Sequence, residues 1–234
     1  MSSRPSVSRP WWKRVGYGYL WLLSRVIGVS WFGLRTSGAA LFPRQCGALV
    51  CSNHQSHFDP VLVGLVLPER LNYVARKTLF KFFLFRWLIE YLDAIPIDRD
   101  GMGLGGIKET LKRLGRSESV LIFPEGTRTA DGEIGRLRPG FYAIARRSGK
   151  PIVPVAIDGA YQAWPKGQPL PGLSRIAICV GEPITAEQIA EFNESSLLSE
   201  LDQRLRELHH RARFLTGKRQ TRLANNDAAP PRGE

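Results

Sequence analysis

Cysteine is scarce in this chain: Cys46, Cys51 and Cys179 are the only three in 234 residues. None sits in a CxxC or zinc-like spacing, which excludes a disulfide framework and reads as small apolar residues in a reducing compartment. A clean membrane span is missing too. The apolar, aromatic stretch near the N-terminus is interrupted by Arg25, short of the roughly 18–20 uninterrupted residues a span requires. It also lacks the basic–apolar–small order of a cleaved signal peptide. No G-x-S-x-G segment is present, which argues against a serine hydrolase. "GMGLGG", residues 101–106, does not place a GxGxxG register directly after a buried strand, as a dinucleotide loop does, and has no GK[ST] ending. There is no internal repeat. Acidic residues are in deficit, 21 against 33 Lys and Arg, for a formal net charge of +12. That balance calls for an acidic partner, either nucleic acid or an anionic membrane surface. No RNA-module signature accompanies the basic residues, so the membrane surface is the expected partner and nucleic acid is not.

With 43% hydrophobic and 23% charged residues, the chain is globular and long enough for one sizeable domain. Short β-rich runs appear at "ALVCS", "LNYVA", "AIPI", "SVLIF", "IVPVAI" and "RIAICV". Helix-length segments lie between most of them: "FDPVLVGLVL", "TLFKFFLFRWLIEYL", "GLGGIKETLKRLG" and "GFYAIARRSG". Such alternation predicts an α/β fold, a mainly parallel central sheet flanked by helices. A last helix is expected over roughly residues 186–214, with Leu198, Leu201, Leu205 and Leu208 at helical spacing. Ligands in such folds bind at the carboxyl ends of strands, where "SNHQSH" and "PEGTRT" fall.

Three segments follow. Residues 1–40 are expected to form a basic, aromatic, membrane-associating helical segment, with Trp11, Trp12, Tyr17, Tyr19, Trp21 and Trp31 beside Arg4, Arg9, Lys13 and Arg14; a helix packed on the domain core is the plainer reading. Aromatics favour a water–lipid boundary and basic residues an anionic face. Residues 41–214 form the main domain, and 215–234 a disordered tail without apolar periodicity. "TLFKFFLFRWLIEYL" is apolar nearly all round, as a buried core helix or a membrane-facing one would be.

The residues richest in chemistry are "SNHQSHFDP", 52–60. If a turn joins strand to helix there, the Asp59 carboxylate can fold back onto His54 and accept one ring N–H. The other ring nitrogen is then a general base. Two plainer readings stand beside it: Ser56 or Asp59 capping the helix, or a metal trio of His54, His57 and Asp59. In "LIFPEGTRT", 121–129, a buried strand ends at Phe123 and Pro124 breaks it. Gly126 permits an unusual backbone angle, while Thr127 and Arg128 offer a hydroxyl and a forked guanidinium suited to phosphate. "AIPIDRD", 94–100, delivers Arg99 from another strand end, either to an ion pair with Asp98 or Asp100 or to the same anion as Arg128.

Taken in order, "NHQSHFD", "IPIDR", "FPEGTRT" and "IVPVAI" resemble the four motif blocks of the glycerophospholipid acyltransferases, above all the bacterial 1-acyl-sn-glycerol-3-phosphate acyltransferases. The likeness runs from about residue 48 to "GEPIT" at 181–185. It implies that His54 deprotonates an acceptor hydroxyl while Asp59 orients it. Phe123, Pro124, Glu125, Gly126, Thr127 and Arg128 would shape the acceptor site, and Arg99 would help hold the acceptor phosphate. The hydroxyl would attack an acyl thioester directly, with acyl-CoA or acyl-carrier protein as donor and with no cofactor, metal or acyl-enzyme. The expected reaction is acylation of the sn-2 hydroxyl of 1-acyl-sn-glycerol 3-phosphate to phosphatidate, at the cytoplasmic face of the membrane, by a peripheral or shallowly inserted enzyme. Glycerol 3-phosphate or another lysophospholipid as acceptor, and a non-catalytic basic membrane-binding module, are the alternatives. His57 stands where Trp or Tyr is frequent in the family, and Thr78, Phe83 and Arg86 depart from its K-x-E-L-type element.

Overall fold

The computed structural model describes residues 28–76, 95–97, 103–168 and 170–217, together with residues 18, 22, 25 and 26. The expectations for "TLFKFFLFRWLIEYL", for Arg99, for the first 17 residues and for the tail beyond residue 217 lie outside the described residues.

Seven strands form one sheet: β1 (Arg35–Ser37), β2 (Leu49–Ser52), β3 (Leu71–Arg76), β4 (Ile95–Ile97), β5 (Ser119–Ile122), β6 (Ile152–Asp158) and β7 (Ala177–Val180). Their order is β1-β7-β6-β2-β5-β3-β4. All neighbouring pairs are parallel except β6 and β7. The expected mainly parallel α/β sheet is what forms. Two features differ from the sequence reading. β1 precedes residue 41, where the main domain is expected to begin, yet it joins the sheet beside β7. β7 runs against β6, because the 160–176 connection returns the chain without a full crossover helix.

Side chains alternate across the sheet with period two. Val50, Leu121, Val153, Val155, Ile157 and Ile178 face one core. Leu49, Cys51, Val120, Ile122 and Ile152 face the other. On the first face packs α1 (Asp59–Val66), through Leu62, Val63 and Val66. The second face is covered by α2 (Gly103–Gly115), α3 (Gly140–Ser148), α5 (Ala186–Glu191) and α6 (Glu194–Thr216); α4 (Ala160–Ala163) is a single turn after β6. Four strands are buried at every position, as parallel strands covered on both faces must be.

The single helix expected over 186–214 is two helices. Thr185 and Asn193 each open a capping box, with Gln188 and Ser196 as partners. A side-chain cap contributes about 1 kcal/mol, enough to start a new helix at Asn193 although apolar spacing continues through the break.

Residues 28–32 are helical and lie against α1. A Cβ on Gly28 would touch Leu34 and Leu65, and Arg25 donates to the Leu65 carbonyl at 3.4 Å. Phe32 is buried in the first core, while Leu22, Val26, Val29 and Trp31 are more than half exposed. Among the described residues no helix is long and apolar enough to cross a membrane.

Candidate active site

At the carboxyl end of β2 the chain turns from Ser52 to the start of α1. Asn53 fixes that turn to β6: its amide donates to the Ile157 carbonyl at 2.9 Å and accepts from the Ile157 N–H at 2.7 Å. The next residue is His54, whose Nδ1 lies 2.7 Å from Asp59 Oδ2. The same oxygen accepts the N–H groups of Gln55 at 2.5 Å and Ser56 at 2.7 Å. Asp59 is fully buried in the first turn of α1, where the helix dipole also favours a carboxylate. An acceptor on Nδ1 fixes the proton there and leaves Nε2 with a lone pair. Among the described residues nothing bonds Nε2, and the side chain keeps 20% of its surface exposed. Such an imidazole can remove a proton from a bound hydroxyl.

The plain capping reading does not describe this turn. Phe58 is the N-cap of α1 and has no side-chain cap bond. The Ser56 hydroxyl accepts from the Phe58 N–H and donates to the Trp164 carbonyl. Among the described residues no three His, Cys, Asp or Glu side chains converge on a metal position.

Both backbone groups of His54 are tied to the segment after β5. Its N–H donates to Glu125 Oε1 at 2.8 Å, and its carbonyl accepts from the Thr129 N–H at 2.8 Å. Glu125 Oε2 accepts from the Gly135 N–H at 2.8 Å. The Phe123 ring stacks on the His54 imidazole, 3.9 Å between centroids and 14° from parallel. Gly126 holds φ 71°, the left-handed region where a side chain would be strained, and its N–H closes the turn on the Phe123 carbonyl at 3.0 Å. Burial pushes the Glu125 carboxyl above its ordinary range, against the pull of the Gly135 and His54 N–H groups.

The structure therefore brings His54, Asp59, Phe123 and Glu125 together, with Pro124 and Gly126 shaping the loop. Arg128 is half-buried beside them. Desolvation, then the charges of Arg128 and His54, push the exposed His57 imidazole below its usual range, with Asp59 opposing. Thr127, with Glu125, opens onto an adjoining groove.

Several contributors escape sequence reasoning. Gln55 is buried, its amide bonded to the Gly132 carbonyl and facing His209 of α6. Trp164 packs on Phe58 at 4.7 Å, and Phe58 on Phe32 at 5.6 Å. This aromatic ledge leads from the N-terminal helix to His57. One signal existed: His209 falls four residues after Leu205, on the apolar stripe of its helix.

The acyltransferase family model matches residues 33–158. A 1-acyl-sn-glycerol-3-phosphate acyltransferase of Bacillus subtilis (strain 168) is 29% identical over 76% of this chain and 89% of its own length. One from Pseudomonas aeruginosa is 30% identical over 75% of this chain and 69% of its own length. In fold, the chain is similar to the crystal structure of the 1-acyl-sn-glycerophosphate (LPA) acyltransferase PlsC from Thermotoga maritima. The TM-score is 0.72 at 22% identity, over 92% of this chain and 86% of that one.

Proposed function

The chain belongs to the acyltransferase family, and we propose that it moves a fatty acyl group from an acyl thioester to the free sn-2 hydroxyl of 1-acyl-sn-glycerol 3-phosphate, giving phosphatidate. The observation that carries this reading is the His54–Asp59 pair, 2.7 Å apart with the carboxylate fully buried at a strand end. His54 Nε2 takes the hydroxyl proton as the oxygen attacks the thioester carbonyl. The tetrahedral adduct collapses, the C–S bond breaks, and the departing thiolate takes the proton back from the imidazolium. Asp59 stabilises that imidazolium and keeps the ring in the productive tautomer. The chemistry needs no covalent acyl-enzyme and no cofactor.

Arg128 and Arg99 would hold the acceptor phosphate. Arg128 is supported by the bearing of its charge on His57; the motif likeness alone supports Arg99. A lipid acceptor also requires access to a bilayer. The exposed Leu22, Val26 and Val29, spaced four and three residues apart, with Trp31 nearby, support a helix lying on an anionic membrane. The three free cysteines agree with the cytoplasmic side.

The test is purified protein with hexadecanoyl-CoA and a panel of glycerol 3-phosphate, lysophosphatidate and neutral-headgroup lysophospholipids, products read by mass. Phosphatidate as the main product supports the proposal. Preference for another acceptor would replace the substrate, and transfer to none would leave a binding module.

A further inference from the structure

Beside the candidate active site lies an open groove of about 590 Å³, within the range of small-molecule clefts. Arg136, Arg138 and Thr127 line it with Leu137 and Leu198, and Glu194 stands on its wall. Glu125, whose carboxylate holds the His54 N–H, reaches the same groove. Arg138 lies across Gly126: a Cβ there would come within 3.0 Å of the Arg138 Nε. The Arg138 N–H bonds the Pro124 carbonyl at 2.8 Å, so its place relative to the loop is fixed. Among the described residues neither the Arg136 nor the Arg138 guanidinium has a hydrogen-bond or ion-pair partner. Other arginines nearby are engaged: Arg146 with the Ile189 carbonyl, Arg204 with Glu200 and Arg206 with Asp202.

The groove and the lipid-facing features lie on opposite faces of the sheet. Phe123, which stacks on His54, packs against the first core together with Phe58 and Phe32. Leu137 and Leu198 belong to the second. An acceptor arriving from the bilayer along the aromatic ledge thus reaches His54 from one side. On the other face the open groove, which Glu125 links to His54, is the place left for the water-soluble head of the donor. Every acyl thioester on CoA or on a carrier protein hangs from a phosphopantetheine arm, which carries a phosphate at a fixed reach from the reacting sulfur. Two unengaged guanidinia are the preferred recognition groups for such an anion.

We propose that Arg136 and Arg138 bind the phosphate of the acyl donor, so that donor and acceptor phosphates are held by different arginines on either side of Gly126. This rests on the acyl-transfer reading above. Glu194 opposes the anion and would weaken binding from the far wall.

The test uses the full chain and its Arg136→Gln/Arg138→Gln variant. KM is measured for hexadecanoyl-CoA, for hexadecanoyl-carrier protein and for hexadecanoyl-pantetheine, which lacks the phosphate. KM for the phosphate-bearing donors should rise about tenfold or more in the variant, as expected for lost charge-assisted bonds. KM for lysophosphatidate and for hexadecanoyl-pantetheine should stay within twofold. A rise for both natural donors assigns the arm's own phosphate, and a rise for hexadecanoyl-CoA alone assigns its nucleotide phosphates. Glu194→Gln should lower donor KM. Unchanged donor KM, an equal rise for the phosphate-free donor, or a rise confined to lysophosphatidate would overturn the proposal. Calorimetric binding of CoA itself, without turnover, separates the two readings. If wild type binds CoA and the variant does not, the groove stands even should lysophosphatidate prove to be the wrong acceptor.

Discussion

Gln55 Nε2 lies 3.3 Å from His209 Nε2, which ties the residue beside His54 to the C-terminal helix. For two nitrogens to bond, the ring must accept from the Gln55 amide and carry its own proton on Nδ1. The Gln55 carbonyl accepts from the Tyr161 N–H at 3.2 Å. The same Nε2 lies 3.6 Å from Asp158 Oδ1, beyond hydrogen-bond length, and Asp158 Oδ2 accepts from Thr216 Oγ1 at 2.8 Å. Gln55, His209 and Asp158 are all buried, where an unsatisfied polar group is costly.

His209 is therefore expected to be a positioning residue for the turn that carries His54. His209→Ala should lower kcat by about tenfold to a hundredfold, the scale on which small misplacements act, with both KM values within twofold. His209→Gln, which keeps an acceptor, should recover part of the loss. Gln55→Leu combined with His209→Ala should cost no more than the worse single change, because the two share one bond. Additive losses, or a lowered Tm with kcat intact, would contradict the coupling.

Arg128 sits half-buried, with its charge bearing on His57. Arg128→Ala should raise KM for the acceptor by about tenfold to a hundredfold through a lost charge-assisted contact. Donor KM should move little. Separate saturation curves for the two substrates decide this, and an effect confined to the donor would remove Arg128 from the acceptor site.

Glu125 has a pH signature. Burial raises its carboxyl above the ordinary 4.5, so the folded protein binds this proton more tightly than the unfolded chain does. The resulting stability is present below 4.5 and is lost as pH rises through the folded value. Denaturant unfolding across that window should show a steeper decline for wild type than for Glu125→Gln. Parallel curves would mean that Glu125 ionises freely in the fold. The same variant should lose activity, because an amide cannot accept from both the His54 and Gly135 N–H groups.

Deleting residues 1–35 removes the exposed Leu22, Val26, Val29 and Trp31 together with the basic residues before them. Each basic residue near an anionic surface contributes about 1 kcal/mol, and buried apolar side chains more. The deleted protein should remain in the supernatant with phosphatidylglycerol vesicles, whereas the full chain should sediment and resist release by high salt. Because β1 begins at Arg35 and Phe32 is buried in the first core, a Trp31→Ser/Val29→Ser variant serves as a folded control. Full sedimentation of both would place the membrane contact elsewhere.

Much of this architecture is legible in one dimension where a local pattern suffices. "GLGGIKETLKRLG" is α2 from end to end, because its periodicity and flanking glycines are contained in the segment. His54 and Asp59 could be paired from sequence because the partners are five residues apart. β1 could not: three residues, none buried, carry no alternation. Nor could the roles of Glu125 and Gln55, whose bonds reach 71 and 154 residues along the chain. Asn53 likewise bonds Ile157 across the sheet, 104 residues along the chain. Such contacts depend on the strand order, which no single segment encodes.

The most direct measurement compares purified wild type with His54→Ala, using hexadecanoyl-CoA and 1-acyl-sn-glycerol 3-phosphate and following phosphatidate by mass. His54 has its backbone groups tied to Glu125 and Thr129, so the variant should keep the wild-type circular dichroism and unfold cooperatively. Its turnover should fall by about 10²–10⁴, the usual contribution of a positioned general base, and Asp59→Asn should lose a large part of the same factor. A folded His54→Ala protein that makes phosphatidate within threefold of the wild-type rate would contradict the assignment of His54 as the base.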